Sequence, residues 1–207
     1  MRNTNYFFPE YKRKNISRYC EIKSTASCIP EKIVSNEEII SRFDLPFKSS
    51  AIIKSIGVET RHVAYDHESD SDILKVAADN CLKQYGLKPD DLSRLIVNKY
   101  YGDNILPMTA SMLQRKLGST TAFHAFDIDG GISSFLHSFD VASRFINTGD
   151  DHILIASGGI CNKLVSKTDP RTAFLFGDGA ASILLGHSKE QHIIGRASGD
   201  IQKSFYR

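Results

Sequence analysis

The sequence lacks any long uninterrupted apolar run and any strong excess of charge of one sign. No segment approaches the roughly 18 apolar residues that read as a membrane span, and the first residues contain no signal-peptide core. The 26 basic and 24 acidic residues are interspersed and give a net charge of +2, so the sequence gives no reason to expect a nucleic-acid partner. We expect a cytoplasmic protein without a membrane span or a nucleic-acid ligand.

Metal-binding patterns are also absent from the sequence. The four cysteines form no Cys-x-x-Cys pair, and the seven histidines have neither zinc-helix nor zinc-ribbon spacing. We predict reduced thiols, no metal and no cofactor. Gly177-Asp178-Gly179 has neither the lysine of a phosphate-binding P-loop nor dinucleotide-fold spacing, which favours a structural role for this turn.

A sizeable core can form, because 41% of the residues are hydrophobic and 24% are charged. The one local charge bias lies in residues 1–18, where the basic residues outnumber a single Glu. Such a stretch is more often a solvated terminus than a polyanion-binding arm. We therefore divide the chain into a basic N-terminal tail, residues 1–18, and one folded unit, residues 19–207.

Apolar periodicity predicts alternating strands and helices in the folded unit. The predicted strands are 21–28, 92–97, 122–128 and 152–157, with a strand or loop at 58–65, and the predicted helices are 37–43, 69–85, 107–118 and 132–147. An Asp-Gly pair between the apolar runs 173–176 and 180–185 predicts a hairpin. This order predicts an α/β layer structure with a largely parallel sheet.

Four short segments occur in an order that is typical of one enzyme family. They are 29–36 (IPEKIVSN), 56–61 (IGVETR), 126–128 (FDI) with its following helix, and 175–181 (LFGDGAA). From about residue 20 to about residue 187 the chain resembles the amino-terminal half of the β-ketoacyl-acyl-carrier-protein synthase III family, in the thiolase superfamily. The resemblance implies half of a thiolase-like αβαβα layered fold. It also implies an acyltransferase that condenses an acyl-CoA primer with malonyl carrier protein.

The family's nucleophile is a cysteine at the start of a helix, because sulfur accepts the acyl group and later leaves. The helix dipole and nearby amides lower the pKa of that thiol and hold the thioester oxygen. The matching stretch, residues 127–135 (DIDGGISSF), aligns without a gap and puts Ile132 at the nucleophile position. A branched hydrocarbon cannot be acylated, so this position is predicted to be silent.

Other departures concern substrate binding. The family's histidine and asparagine belong to its second half, and its adenine-stacking tryptophan aligns with Ala51. Its Asp-Arg-Gly-Thr arginine aligns with Pro170, which leaves the adjacent Arg171 as a weak candidate for binding CoA. Leu106 matches a residue that in the family reaches across the dimer into the neighbour's acyl tunnel, so we keep it as a dimer and tunnel contact.

Two residues are candidate substitutes for the missing nucleophile. Ser133 adjoins the position, but it points elsewhere on a helix and is predicted to be a capping hydroxyl. Cys161 is a loop thiol after an apolar strand. In the family, Gly177, Asp178 and Gly179 support the floor of the catalytic site.

Three hypotheses for function follow. The first is a degenerate, non-catalytic partner of an active synthase in fatty-acid or polyketide-type assembly, bound to a synthase homologue or to itself. The second is one part of a split acyltransferase whose other half is a separate chain, with acyl-CoA or acyl carrier protein as ligand. The third is a decaying gene product, which would expose apolar surface and aggregate.

Overall fold

The computed structural model describes residues 14–166, 168–169 and 172–196. The helices are α1 Asn36–Phe43, α2 Ser49–Ile56, α3 Asp70–Tyr85, α4 Thr109–Leu117 and α5 Ser134–Asn147. The strands are β1 Lys14–Arg18, β2 Cys20–Cys28, β3 Ile33–Ser35, β4 Thr60–His62, β5 Arg94–Asn98, β6 His124–Ile128, β7 His152–Gly159, β8 Gly179–His187 and β9 Ile193–Arg196. Short 3-10 turns occupy Pro89–Asp91, Gly131–Ser133 and Cys161–Lys163.

The helix ends follow the capping residues of the sequence. Ser35 precedes α1, and its side chain accepts a hydrogen bond from the amide of Glu38 at 3.1 Å. Before α3, the Ser69 amide donates to Asp72 Oδ2 at 2.9 Å, and Gly86 ends the helix in the left-handed conformation. Both helices lie within one residue of their predicted bounds.

A five-stranded sheet in the order β2-β8-β7-β5-β6 organises the fold. Strand β5 pairs in parallel with β6 and with β7, whereas β8 pairs antiparallel with β7 and with β2. Four strands therefore run in one direction and β8 runs against them. The prediction of an α/β structure with a largely parallel sheet is confirmed.

Alternate residues of the strands face two different helical layers, as the twofold period of a strand requires. Leu95 and Leu154 pack in the core under α3 and α4, whereas Ile96, Ile153 and Ile155 pack under α5. The sheet is thus the middle of three layers. Strands β5 and β7 have nearly continuous apolar sequences rich in β-branched residues, which is typical of strands that are covered on both faces.

A smaller cluster lies outside the main sheet. Strands β3 and β4, which α1 and α2 separate in sequence, form a two-stranded antiparallel sheet that pairs Ile33 with His62. Val34 and Val63 of this region pack with Ile39 of α1 and with Phe174. The hairpin predicted around the Asp-Gly pair is wrong. Residues 172–175 form turns, because the apolar Ala173 and Phe174 fill this cluster and do not form a strand. Strand β8 pairs with β7 and β2 instead.

The basic segment at the start of the chain is partly structured. Strand β1 pairs antiparallel with β9, so ordered structure extends five residues into the predicted tail. Arg18 is only 4% exposed and donates to Asp140 Oδ1 of α5 at 2.6 Å. It is therefore a buried, paired side chain and is not part of a solvated arm. Residues 1–13 lie outside the described part.

No helix among the described residues is long and apolar enough to cross a membrane.

Candidate functional site

Strands β5, β6 and β7 end at the same edge of the sheet because they are parallel. The chain segments that follow these strands carry Lys99, the turn Gly131–Ser133 and Cys161. Crevices outside the carboxyl ends of parallel strands are the usual place for a binding site in such sheets. Ile132, Ser133 and Cys161, which the sequence singled out, therefore follow strands that end at this edge of the sheet.

Ile132 lies in the middle of the 3-10 turn between β6 and α5. The turn begins at Gly131, whose φ of 65° is in the left-handed region that favours glycine. Helix α5 itself begins at Ser134, so the predicted start at Ile132 is two residues early. The side chain of Ile132 lies outside the described part, and its place in the nucleophile position stays a prediction.

Ser134 fixes this turn to the sheet. It is 3% exposed, and its hydroxyl donates to the carbonyl of Gly131 at 2.6 Å. The side-chain amide of Asn98, at the end of β5, donates to the same hydroxyl. The turn and the first residue of α5 are therefore tied to the central strand.

Lys99 and Asp127 form an ion pair beside the turn. Lys99 Nζ lies 2.8 Å from Asp127 Oδ2, and the two side chains are 12% and 9% exposed. The Asp127 carboxylate also accepts from the amides of Thr109 at 3.0 Å and Ala110 at 2.7 Å. An aspartate of β6 thus caps the start of α4, where a negative charge is stabilised by the helix dipole.

Ser133 does not act as the predicted cap. It occupies the residue before α5, but its side chain makes no capping hydrogen bond, and it is exposed. His137 is one helical turn further and is also exposed. Within the described residues no hydrogen bond joins these two side chains, so the geometry supplies no base to activate the serine.

Cys161 is separated from the turn before α5. It follows β7, which is two strands from β6, and two strand spacings amount to about 10 Å. Burial, and next the carboxylates of Asp178 and Asp70, raise the pKa of its thiol. A nucleophilic cysteine needs a lowered pKa, so both its position and its electrostatics oppose acyl transfer.

Asp178 joins three segments of backbone. It is 7% exposed, and its carboxylate accepts from the amides of Ala64 and Asn162, both at 2.8 Å. Its own amide donates to the carbonyl of His62 at 2.9 Å. These contacts hold the backbone at residues 62, 64 and 162 together. The role of Gly177, Asp178 and Gly179 as the floor of a catalytic site stays a prediction.

Glycine is required where β7 meets β8. Gly158 has a φ of 127°, and a side-chain carbon built on it would lie 2.3 Å from the carbonyl oxygen of Gly179. The two backbones approach so closely that a larger residue at 158 would separate the strands.

Leu106 lies on an exposed apolar loop between β5 and α4. Its exposed fraction is 78%, that of Ile105 is 92%, and those of Tyr100 and Tyr101 are 56% and 57%. This placement is compatible with the predicted contact to another chain, which stays a prediction. Arg171, the candidate for CoA, and the neighbouring Pro170 lie outside the described residues.

Sequence reasoning missed Asn98, Lys99 and His137. Asn98 and Lys99 directly follow a buried apolar run, which is the one local signal that could have marked them. His137 carries no such signal, because its proximity to the turn depends on the helix beginning at Ser134. Nothing in a linear pattern showed that Lys99 would meet Asp127.

Similar proteins agree on one family. A family model described as 3-oxoacyl-[acyl-carrier-protein (ACP)] synthase III matches residues 126–200. A beta-ketoacyl-[acyl-carrier-protein] synthase III of Thiobacillus denitrificans is 32% identical over 177 residues, which are 85% of this chain and 55% of that protein. One of Ehrlichia canis is 33% identical over 170 residues, 82% of this chain and 52% of that protein.

Solved structures give the same result. A 3-oxoacyl-(acyl-carrier protein) synthase of Burkholderia xenovorans has a TM-score of 0.79 at 29% identity, over 87% of this chain and 52% of that one. A 3-oxoacyl-[acyl-carrier-protein] synthase III of Aquifex aeolicus, at 24% identity, has the same fold with a TM-score of 0.76, over 83% of this chain and 55% of that one. The predicted thiolase-like α/β fold is confirmed, and the chain spans about half the length of the relatives it matches.

Proposed function

The chain is a partial-length relative of the 3-oxoacyl-[acyl-carrier-protein] synthase III family, and from this premise we propose that it is a non-catalytic partner of an active synthase. The partner is a complete synthase homologue or a second copy of the chain. The pathway is acyl assembly of the fatty-acid or polyketide type.

The identity of residue 132 carries the proposal. Acyl transfer through a covalent intermediate needs an atom that can attack a thioester and leave again. The side chain of isoleucine contains only saturated carbon. Whatever surrounds it, Ile132 cannot form a thioester.

The neighbouring groups support this conclusion. Ser133 has no hydrogen-bonded base among the described residues, and the thiol of Cys161 has a raised pKa and lies two strands away. Both candidate substitutes therefore lack the activation that a nucleophile requires.

The exposed loop supports association with another chain. Tyr100, Tyr101, Ile105 and Leu106 are each more than half exposed. Exposed clusters of large apolar side chains are typical of protein-binding surfaces. Aromatic residues in particular are enriched at the centres of interfaces.

The test is a labelling experiment with the full chain. Incubation with radiolabelled acetyl-CoA should leave no covalent label on the wild-type chain, and intact-mass measurement should confirm this. An active synthase of the same organism, labelled in parallel, is the positive control. A stable complex of the two proteins in size-exclusion chromatography is expected, and covalent labelling of the wild-type chain would contradict the proposal.

A split acyltransferase is the second candidate. Here a separate chain supplies the remaining half, and acyl transfer uses a residue other than Ile132. In this case, labelled acyl-CoA yields product only when both chains are mixed. Label that is lost in a Cys161→Ala or Ser133→Ala variant of this chain would identify the residue and reject the first candidate.

A further inference from the structure

A pocket lies between α1, the two-stranded β3–β4 sheet and the segment that follows β7, and we call it the α1 pocket. Its volume is about 370 Å³, within the range of roughly 300–1,000 Å³ for small-molecule sites. Its apolar wall consists of Val34, Ile39, Phe43, Val63, Ala64 and Ala173. The lining does not include Ile132, Ser133 or Cys161, although Asn162 and Lys163 directly follow Cys161 in sequence.

Positive charge dominates the polar part of the pocket. Lys32, Arg42, Arg61 and Lys163 line it, and Asp66 is the one acidic residue in the lining. Burying or crowding like charges is unfavourable unless an opposite charge compensates them. The pocket therefore combines an apolar wall with a surplus of cationic groups.

Two of the four cations already have acidic neighbours on α1. Arg42 donates to Glu38 Oε1 at 2.8 Å, and the carboxylate of Glu37 interacts electrostatically with Arg61. Arg61 is 5% exposed, and its guanidinium donates to the carbonyls of Val34 and Phe174, both at 3.0 Å, and to the side chain of Asn36, whereas its Nε has no hydrogen-bond partner among the described residues. Both arginines therefore already have partners within the protein.

Lys32 and Lys163 are the cations that remain for a ligand. Lys163 Nζ donates to the backbone carbonyls of Asp66, at 2.8 Å, and of Glu68. Neither lysine forms an ion pair with a carboxylate in the part of the chain that the structure describes. An ammonium group has three donors, so Lys163 keeps one after these two bonds.

We propose that the α1 pocket binds a small amphipathic anion, a carboxylate or phosphate group on a short aliphatic chain. The anionic head lies between Lys32 and Lys163, and the aliphatic chain lies against Val34, Ile39 and Phe43. Charge-assisted hydrogen bonds fix the head, and burial of the aliphatic chain supplies the remaining affinity. This inference does not rest on the proposed function, since it uses no residue of the turn before α5.

Isothermal titration of the full chain tests the proposal. The probes are octanoate, octyl phosphate, inorganic phosphate and octanol. Octanoate and octyl phosphate separate the two kinds of head group, octanol lacks the charge, and inorganic phosphate lacks the aliphatic chain. At least one of the two amphipathic anions should bind, and octanol and inorganic phosphate should each bind about tenfold more weakly or not at all.

Lys32→Gln and Lys163→Gln should each weaken binding of the amphipathic anion about tenfold, because each loses a charge-assisted bond. Lys54→Gln is the matched control: it removes the same charge from an exposed residue of α2 that is outside the pocket lining. If Lys163→Gln fails to fold, Lys32→Gln decides, since Lys32 makes no side-chain hydrogen bond within the described residues. Equal binding of octanol and octanoate, equal effects of Lys32→Gln and Lys54→Gln, or no binding of either anion would each overturn the proposal.

Discussion

At the scale of single residues, the ion pair of Lys99 and Asp127 stands out because water reaches little of either side chain. The two are 12% and 9% exposed. The attraction in such a pair offsets the cost of removing both charges from water only when further hydrogen bonds satisfy the remaining polar atoms. Asp127 satisfies this condition through the amides of Thr109 and Ala110.

Asp127→Asn should therefore destabilise the protein by about 3 kcal/mol, because the change leaves the Lys99 ammonium buried without its counter-charge. It also places an amide group, which can donate, beside two backbone donors. Urea unfolding of the full chain measures the difference. Asp129→Asn, at an exposed position two residues away, should change the stability by less than about 0.5 kcal/mol. Equal effects of the two substitutions would show that the ion pair does not add to the free energy of unfolding.

The cysteines allow a second prediction at this scale. Burial raises the pKa of all four thiols, to about 11 for Cys20. Because only the thiolate is nucleophilic, we expect slow alkylation of the native chain by iodoacetamide near neutral pH. The rate should keep rising with pH beyond the ordinary cysteine pKa of about 8.5.

Peptide mass spectrometry separates the four sites in this experiment. Cys28 and Cys161 are partly exposed, whereas Cys20 and Cys81 are buried, so the first two should react first. The chain unfolded in urea is the control and should react faster at every site. Rapid alkylation of native Cys161 at neutral pH would contradict the prediction and would reopen the case for this residue as a nucleophile.

At the scale of secondary-structure elements, a buried arginine links β1 to α5. Arg18 donates to Asp140 Oδ1 at 2.6 Å and to the carbonyl of Asp140 at 3.1 Å. It also contacts the Ser143 hydroxyl. Strand β1 otherwise has β9 as its strand partner.

Arg18→Gln should loosen β1 from α5, since the shorter, neutral side chain cannot reproduce the charged hydrogen bonds of Arg18 to Asp140. Hydrogen exchange of the β1 and β9 amides should become faster, and the amides of β5 and β7 should be unaffected. Arg144→Gln is the matched control. Arg144 pairs with the same carboxylate at 3.0 Å but is 50% exposed, so its loss should leave exchange almost unchanged.

The same contact should weaken in acid. Burial acts to raise the pKa of Asp140, but the hydrogen bonds from Arg18 and Arg144 outweigh it and hold the pKa below its ordinary value. A lowered folded-state pKa means that the stabilisation is complete above the ordinary aspartate pKa of about 3.9 and is lost as the pH falls below it. Exchange at β1 should therefore accelerate in acid in the wild-type chain and much less in Arg18→Gln. A pH profile that is identical in the two proteins would rule out this contact as the cause.

Sequence patterns predicted these elements well where the signal is local. The caps at Ser35, Ser69 and Gly86 are set by neighbours within a few residues, and α1 and α3 follow them closely. The run 173–176 was misassigned because apolar character alone cannot separate a strand from a turn that packs into a core. Phe174 is fully buried against Phe47, with ring centroids 6.3 Å apart, and that contact spans a distance in sequence that no local pattern encodes.

The candidate site was predictable to a similar degree. The motif around Asp127 and Ile132 placed the turn at the end of β6, but the start of α5 and the tie from Asn98 to Ser134 depend on how separate strands align. Ser133 was predicted as a cap, and the structure instead leaves its side chain without a capping bond. The 3-10 turn Gly131–Ser133 precedes α5 and changes which residue can cap the helix. This turn begins at Gly131, which has a positive φ.

At the scale of the whole molecule, the arrangement of layers leaves surface for another protein. Helix α5 buries Ala142 and Ile146 against the sheet, but Leu136 on the same helix is 67% exposed. The chain spans 55% of one of the relatives it matches and 52% of one of the solved structures. The outer side of α5 and the exposed loop with Leu106 are thus two apolar surfaces, among the described residues, that a second chain would cover to lower the free energy.

The loop gives the sharper prediction, because Ile105 and Leu106 are adjacent in sequence and are 92% and 78% exposed, more than the 67% of Leu136 on α5. The double substitution Ile105→Ser with Leu106→Ser should weaken association, with itself or with a synthase homologue, at least about tenfold. Neither side chain supports the core, so the melting temperature should be unchanged. Sedimentation over a range of concentrations measures both self-association and binding to the homologue.

Leu164→Ser is the control for the loss of one exposed apolar side chain elsewhere, since Leu164 is 54% exposed and lies in the segment after β7. It should leave association as it is in the wild type. If the double variant associates as the wild type does, the loop is not the contact, and Leu136→Ser on α5 should then produce the loss. If none of these variants alters association, both apolar surfaces are excluded, because an interface held by burial of these side chains cannot be indifferent to their removal.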